Sequence, residues 1–303
     1  MMNVGLIGLG KMGNAIAQRL VQAGHTVIGY DKDRDAQEHA VGVGVECVDH
    51  LQKMAAQTQT YWLMLPAGET IDAVIKELMP FLKVGDVVVD GSNSKWTDSI
   101  RRAEMLSAFD IKFLDCGTSG GLQGRANGFC LMVGGSGDTY TKVHELFAAI
   151  ATPGGVSHLG PSGAGHYAKM VHNAIEYAIM EAYGEGFQLL KESNYGKECP
   201  FDLEEVSRLW TNGSIIRSWI LDLSHTVLQH DQKLENISGE LDETGMGRWA
   251  YENARDSHVV LPLIEKVLQV REQSRKDGGT YATKLGAMLR HLFGGHPVKK
   301  IDE

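Results

Sequence analysis

Val4-Gly5-Leu6-Ile7-Gly8-Leu9-Gly10-Lys11-Met12-Gly13 decides the fold, because an apolar strand runs directly into a G-x-G-x-x-G loop that opens the amphipathic segment Met12–Ala23. The first glycine permits a tight turn, the second lets a pyrophosphate approach the backbone, and the third lets helix and strand pack closely. The start of the helix adds free N–H groups and a positive dipole end. A bare G-x-G-x-x-G is a weak signal, but here strand, loop, helix and a second strand, Thr26–Tyr30, follow in order. That strand ends at Asp31, 18 residues beyond Gly13, where a carboxylate accepts hydrogen bonds from the adenosine ribose hydroxyls. Gly8, Leu9, Gly10, Lys11, Met12, Gly13 and Asp31 are therefore expected to bind a dinucleotide. Asp31 repels a 2′-phosphate, which favours NAD over NADP by about ten- to hundredfold. Lys32 and Arg34 leave NADP as the lesser alternative, unless they belong to a solvated turn.

Outward from this loop the first half alternates strand-like and helix-like segments: Tyr61–Leu65, Thr70–Phe81, Val87–Val89, Thr97–Ser107, Lys112–Leu114, Leu131–Val133 and Thr139–Ile150. The rhythm predicts an α/β fold in which a Rossmann-type doubly wound sheet is followed by an all-α C-terminal domain. Gly154-Gly155 and Gly160-Pro161-Ser162-Gly163 punctuate the chain, and strand signals nearly vanish beyond them. The expected domains are 1–163 and 164–303, with a long helix over Ala164–Ser193, then helices broken at Tyr195–Pro200, Ser238–Gly247 and Asp277–Gly279. The tail from Gly294 reads as extended, either disordered or docked. Leu65, Pro66 and Ala67 follow one strand and Asn93 follows the next, at the carboxyl edge of the sheet where ligands sit in such folds. These residues are expected to face the nicotinamide, and the Asn93 amide is suited to a substrate hydroxyl.

A chain of 303 residues, 43% hydrophobic and 22% charged, has the composition of a two-domain soluble enzyme. A net charge of −9 opposes nucleic acid or an anionic membrane as partner. Cys47, Cys116, Cys130 and Cys199 are scattered, with neither metal-site nor disulfide spacing. No basic leader or long apolar run is present, so the expected location is cytoplasmic.

Lys169-Met170-Val171-His172-Asn173-Ala174-Ile175-Glu176-Tyr177 carries the chemistry. At about 100° per residue, Lys169, His172, Asn173, Glu176 and Tyr177 share one helical face, while Val171, Ala174, Ile175, Ala178 and Ala182 gather opposite as a side suited to a core. Lys169 and Glu176 are two turns, or ~10 Å, apart, within reach of one short substrate that must lose and gain protons. The alternative is a solvated polar face with a spaced Lys/Glu pair.

The GLGKMG loop, Asp115-Cys-Gly-Thr-Ser-Gly-Gly121, Leu131-Met-Val-Gly-Gly135 and Lys169–Tyr177 together resemble decarboxylating 6-phosphogluconate dehydrogenase over nearly the whole chain. The Ser-Gly-Gly loop plus Lys-x-x-x-Asn is shared with the wider β-hydroxyacid dehydrogenase superfamily, and His172, Glu176 and Tyr177 narrow the resemblance. It implies that Lys169 is the general base at the C3 hydroxyl and then the acid that assists decarboxylation, and that Glu176 protonates C1 of the enediol. The chemistry requires Lys169 to be neutral when it accepts a proton. His172 and Asn173 would orient the polyol with Asn93, while Ser119, Gly120 and Gly121 would hold the carboxylate and lower hydroxyls. No metal is implied, because the β-keto acid is its own electron sink. For the phosphate the resemblance points to Tyr177, Arg248 in Gly245-Met-Gly-Arg-Trp249, Arg271 and, from the tail of a neighbouring subunit, Arg290 and His296.

Better-known members are much longer, with a duplicated helical domain, so this chain resembles a short form, which pairs with an NAD preference. A homodimer or homotetramer is expected, in which each tail completes a neighbouring site. Two rivals stay open: an NAD-dependent dehydrogenase of a small 3-hydroxyacid such as 3-hydroxyisobutyrate, and a catalytically silent NAD-binding regulatory protein. The first has no use for Glu176 or for phosphate-facing cations. Retention of both Lys169 and Glu176 argues against the second.

Overall fold

In the computed structural model, which describes residues 1–301, the chain divides into two compact units that meet in sequence between Lys169 and Met170. The elements of the first are β1 (Asn3–Ile7), α1 (Lys11–Gln22), β2 (Thr26–Tyr30), α2 (Arg34–Val41), β3 (Glu46–Cys47), α3 (Leu51–Ala55), β4 (Thr60–Leu63), α4 (Glu69–Leu78), β5 (Val87–Asp90), α5 (Trp96–Ser107), β6 (Lys112–Ser119), α6 (Gly124–Asn127), β7 (Phe129–Gly135), α7 (Gly137–Ile150) and β8 (Ala151–Gly160). They form an eight-stranded sheet in the order β3-β2-β1-β4-β5-β6-β7-β8. The pairings from β3 to β6 are parallel, β7 turns antiparallel to β6, and β8 runs parallel to β7.

Strand side chains alternate between faces, which gives the sheet two cores. Val4, Leu6, Val87 and Val89 enter one with Ile16, Leu20 and Phe147, while Ile7 and Val88 enter the other with Ile71, Ile75 and Leu106. Strand β8 was not expected, because Pro153, Gly154 and Gly155 mask an edge strand whose residues, Ala151 apart, are half-buried or exposed. The two-residue β3 is likewise too short to leave a periodic signal.

Helix α8 (Ala164–Glu192) begins in the first unit and continues into the second, followed there by α9 (Asn194–Glu198), α10 (Leu203–Thr211), α11 (Trp219–His230), α12 (Met246–Asp256), α13 (Pro262–Asp277) and α14 (Tyr281–Gly294). Helix α9 occupies the expected break at Tyr195–Pro200, its start capped by the Ser193 hydroxyl accepting from Gly196 N–H. No helix of the described residues is long and apolar enough to cross a membrane.

The two faces of α8 depart from expectation, although Ala174 and Ala178 are buried as the apolar side requires. Lys169, Asn173 and Tyr177 are 6%, 8% and 4% exposed, whereas Val171 and Ile175 are 40% and 54% exposed. The wheel keeps Lys169, Asn173 and Tyr177 together but splits the apolar group, and periodicity alone does not say which side faces inward. The inward polar groups have partners that offset their desolvation, as Tyr177 shows below.

Candidate active site

The glycine loop is shaped by close approaches. At Gly8, with φ +95°, a Cβ would lie 2.3 Å from the Met64 carbonyl, and at Gly13 one would lie 2.0 Å from the Gly8 carbonyl. At Gly10 a Cβ would meet open space, on the side from which an anion can approach the first N–H groups of α1. No side chain caps that helix start, so its donors are available. Asp31 ties the loop to β2: Oδ2 accepts from Leu9 N–H at 2.6 Å and Oδ1 from Asp33 N–H at 2.9 Å. Each oxygen has a second lone pair for a ribose hydroxyl. Lys11 is exposed and Met12 half-buried beside this cradle, and Lys32 and Arg34 are exposed beyond β2. The open Gly10 cradle and the Asp31 carboxylate fit a dinucleotide.

Pro66 and Ala67 are exposed and Leu65 half-buried after β4, and Asn93 is exposed after β5 between buried Ser92 and Ser94. Ser119 ends β6, and Gly120 and Gly121 follow it with φ +128° and +54°. Those left-handed angles favour glycine.

Lys169 owes its place to the anchored first turn of α8. The fully buried Asp115 on β6 accepts from Gly163 N–H at 2.7 Å and from His166 N–H at 2.8 Å. Ser99 Oγ on α5 lies 2.7 Å from His166 Nδ1. At Gly117 a Cβ would fall 2.4 Å from Lys169 Cβ and 2.9 Å from the Gly165 carbonyl. Gly117→Ala must therefore displace the turn that carries Lys169, and a shift of about 1 Å lowers kcat by ~10²-fold. Because the glycine loop is remote from Gly117 along the sheet, NAD affinity measured by fluorescence titration should hold; an unchanged kcat would show that the placement of Lys169 is not limiting.

Within the second unit, His172 Nδ1 lies 3.0 Å from Asn173 Oδ1 and 3.8 Å from Glu176 Oε2. Tyr177 Oη is 3.2 Å from Thr244 Oγ1, its ring stacks under Arg271 with the guanidinium carbon 3.5 Å from the centroid, and Gly247 is so close that a Cβ there would lie 2.8 Å from the ring. Arg271 and Arg290 are 1% and 7% exposed. Burial pushes Arg271 down to about 10, with Tyr177 opposing the shift and Arg290 adding to it. Arg290 is lowered too, first by burial, with Tyr177, Asp242 and Glu176 opposing. Arg271 donates to the Asp242 carbonyl at 3.3 Å, yet its Nε is buried with no hydrogen-bond partner. Two buried guanidiniums around a tyrosine, one with an unused donor, make a cationic cluster suited to an oxyanion.

Arg248 is exposed and ion-paired: the Glu243 carboxylate accepts from its Nε at 3.1 Å and its Nη2 at 2.9 Å, and from Arg275 at 3.1 Å. Arg290 is buried on α14, near enough to Tyr177 and Arg271 for their charges to act on one another. The tail docks on its own unit, with Ser238 N–H donating to the Lys299 carbonyl at 2.9 Å and Ile301 N–H to the Asn236 carbonyl at 3.2 Å. The His296 carbonyl lies 2.8 Å from His291 Nδ1, so its backbone folds back on α14. Asp302 and Glu303 lie outside the described residues. Sequence reasoning missed Thr244, whose one signal is its place before Gly245-Met246-Gly247, and it missed Asp115 as an anchor although the residue begins a quoted motif. Among the described residues no cluster of His, Cys, Asp or Glu is suited to a metal ion.

Residues 3–160 match the family described as the NAD binding domain of 6-phosphogluconate dehydrogenase, and residues 165–286 match the 6-phosphogluconate dehydrogenase C-terminal domain. The chain is 42% identical to the NAD(+)-dependent, decarboxylating 6-phosphogluconate dehydrogenase of Haloferax volcanii, covering 100% of both chains. It is similar to the solved 6-phosphogluconate dehydrogenase of Plasmodium falciparum, described with NADP+ and with 6-phosphogluconate, at TM-score 0.83 and 25% identity over 91% of this chain and 62% of that one. A Mycobacterium tuberculosis 3-hydroxyisobutyrate dehydrogenase shares the fold at TM-score 0.75 and 22% identity, covering 95% of this chain and 99% of that one.

Proposed function

The chain belongs to the 6-phosphogluconate dehydrogenase family, and from that premise we propose that it oxidatively decarboxylates 6-phosphogluconate to ribulose 5-phosphate and CO₂ with NAD as the hydride acceptor. The observation that carries this reading is α8, with Lys169, Asn173 and Tyr177 buried, Glu176 half-buried, and Arg271 stacked on Tyr177. The phosphate fits that cationic cluster within the second unit.

NAD, held by the glycine loop and Asp31, supplies the acceptor for the hydride that leaves C3. Lys169 takes the C3 hydroxyl proton as that hydride departs. The resulting 3-keto acid loses CO₂ as the C1–C2 bond breaks, with the bonding electrons drawn onto the C3 carbonyl oxygen, and Lys169 returns its proton to that oxygen. Glu176 then protonates C1 of the enediol as Lys169 takes back the proton of the enol hydroxyl, which leaves the ketone, and the half-exposed His172 at 3.8 Å is a route by which Glu176 regains a proton from solvent. Asn93 and Asn173 orient hydroxyls, and Ser119, Gly120 and Gly121 hold the carboxylate end until it leaves. The outward apolar residues Val171 and Ile175 support a homo-oligomer.

Initial rates with 6-phosphogluconate should be higher with NAD than with NADP by about ten- to hundredfold in kcat/KM, because Asp31 favours ribose hydroxyls and repels a 2′-phosphate. Gluconate and 3-hydroxyisobutyrate serve as controls. Preference for NADP would overturn the Asp31 argument alone, and turnover of 3-hydroxyisobutyrate without turnover of 6-phosphogluconate would overturn the substrate.

A further inference from the structure

Arg102, on α5, is a fully buried arginine that the reaction does not use, and its guanidinium joins two loops at the carboxyl edge of the sheet. Its Nη2 donates to the Gly68 carbonyl at 3.1 Å, at the end of the loop after β4. Its Nη1 donates to Asp90 Oδ2 and to Ser94 Oγ, both at 3.1 Å, on the loop after β5. Its Nε donates to Asp72 Oδ1 on α4 at 2.8 Å. Ser94 Oγ donates to Asp90 Oδ2 at 2.7 Å, Ser92 N–H donates to Asp90 Oδ1 at 3.1 Å, and Leu65 N–H donates to Ser92 Oγ at 3.0 Å. The exposed Asn93 is thus held between two pinned serines, and Leu65 is tied to one of them.

We propose that Arg102 is a positioning residue for the hydride-transfer step, setting the Leu65–Ala67 loop and Asn93 in one fixed relation beside the nicotinamide. The proposal rests on the dehydrogenase reading. Burying a full arginine–aspartate pair is poor economy for stability alone, since apolar residues of similar volume usually do as well. What the guanidinium adds is geometry: its planar fork satisfies acceptors on two loops and a helix at once, which a lysine ammonium cannot reproduce. A loop displaced by about 1 Å at a hydride-transfer site costs ~10²-fold in rate.

The test compares wild type with Arg102→Lys, which keeps a cation beside buried Asp90, and with Ser94→Ala, which removes one hydroxyl and buries no charge. Three readouts are taken well below each Tm: NAD dissociation constant by tryptophan quenching, kcat, and the isotope effect on kcat with 6-phosphogluconate deuterated at C3. Arg102→Lys should weaken NAD binding ~10-fold, lower kcat by up to ~10²-fold and enlarge the isotope effect, with Ser94→Ala moving all three the same way by about threefold. Variants that lower Tm but leave NAD affinity and isotope effect at wild-type values would overturn the proposal. Should Arg102→Lys not fold, Ser94→Ala decides alone. If wild type does not turn over 6-phosphogluconate, the functional reading has failed, while the NAD affinities still decide whether Arg102 sets the loops.

Discussion

Replacing Lys169 by methionine is expected to lower kcat for 6-phosphogluconate by ~10³–10⁴-fold, the upper range for a general acid–base group, because one side chain serves both the oxidation and the decarboxylation. The fold should tolerate the change. Lys169 is 6% exposed and its stem lies against Gly117, and methionine matches that stem while removing the cost of burying an ammonium. NAD affinity should hold, since the glycine loop and Asp31 are on other strands. Lys169→Arg is the informative companion: it keeps a positive charge but stays protonated at working pH, so it cannot accept the C3 hydroxyl proton. If the arginine variant retained most of wild-type kcat, Lys169 would act as a fixed charge and the base would have to be sought elsewhere. Stopped-flow absorbance of the reduced nicotinamide in a single turnover separates the hydride step from later ones. A loss confined to CO₂ release would leave the acid role and remove the base role.

The parts of the molecule legible in the sequence are those whose physics is local. The β1 strand, the glycine loop and Asp31 lie within about thirty residues of one another, and backbone conformation at Gly8 and close packing at Gly13 leave no other residue type suitable. The grouping of Lys169, Asn173 and Tyr177 on one face is equally local, because it follows from helix pitch alone. Its direction was not legible: whether Val171 or Lys169 faces inward depends on what packs against α8, and a functional face overrides the usual apolar preference. Arg102 and Asp115 were silent for the same reason. Their partners are Gly68, Asp90 and Asp72 for one and Gly163 and His166 for the other, and contacts at such sequence separations leave no period or spacing to read. For Arg248 the motif match locates the helix but carries no sign of the Glu243 carboxylate that pairs with it.

Arg271→Met is expected to lower kcat/KM for 6-phosphogluconate by ~10²–10³-fold, chiefly through KM, with each charge-assisted hydrogen bond to a phosphate contributing about 1.5–3 kcal/mol. The same substitution should leave the much slower reaction with gluconate within about threefold, since no phosphate is there to miss the guanidinium. Stability should move in the opposite direction. The Arg271 side chain is buried beside Arg290 with an unused Nε, and burial, with Tyr177 opposing, holds its pKa at about 10, below that of an arginine in the unfolded chain. Between those values the unfolded chain binds more protons than the native one, so this group makes stability rise with pH there, and below about 10 its cost is fully present. Methionine removes that cost, so Tm at pH 7 should hold or rise as activity falls. Inorganic phosphate should raise the wild-type Tm and do so less in the variant, because an anion that satisfies the buried cation binds only the native state. An equal loss with gluconate, or an equal phosphate shift in both proteins, would place the phosphate away from Arg271 and leave the cluster a packing feature. The expected combination of a more stable and less active variant is what a site built to receive a dianion should give: a buried positive charge is tolerated without substrate because its compensation arrives with it.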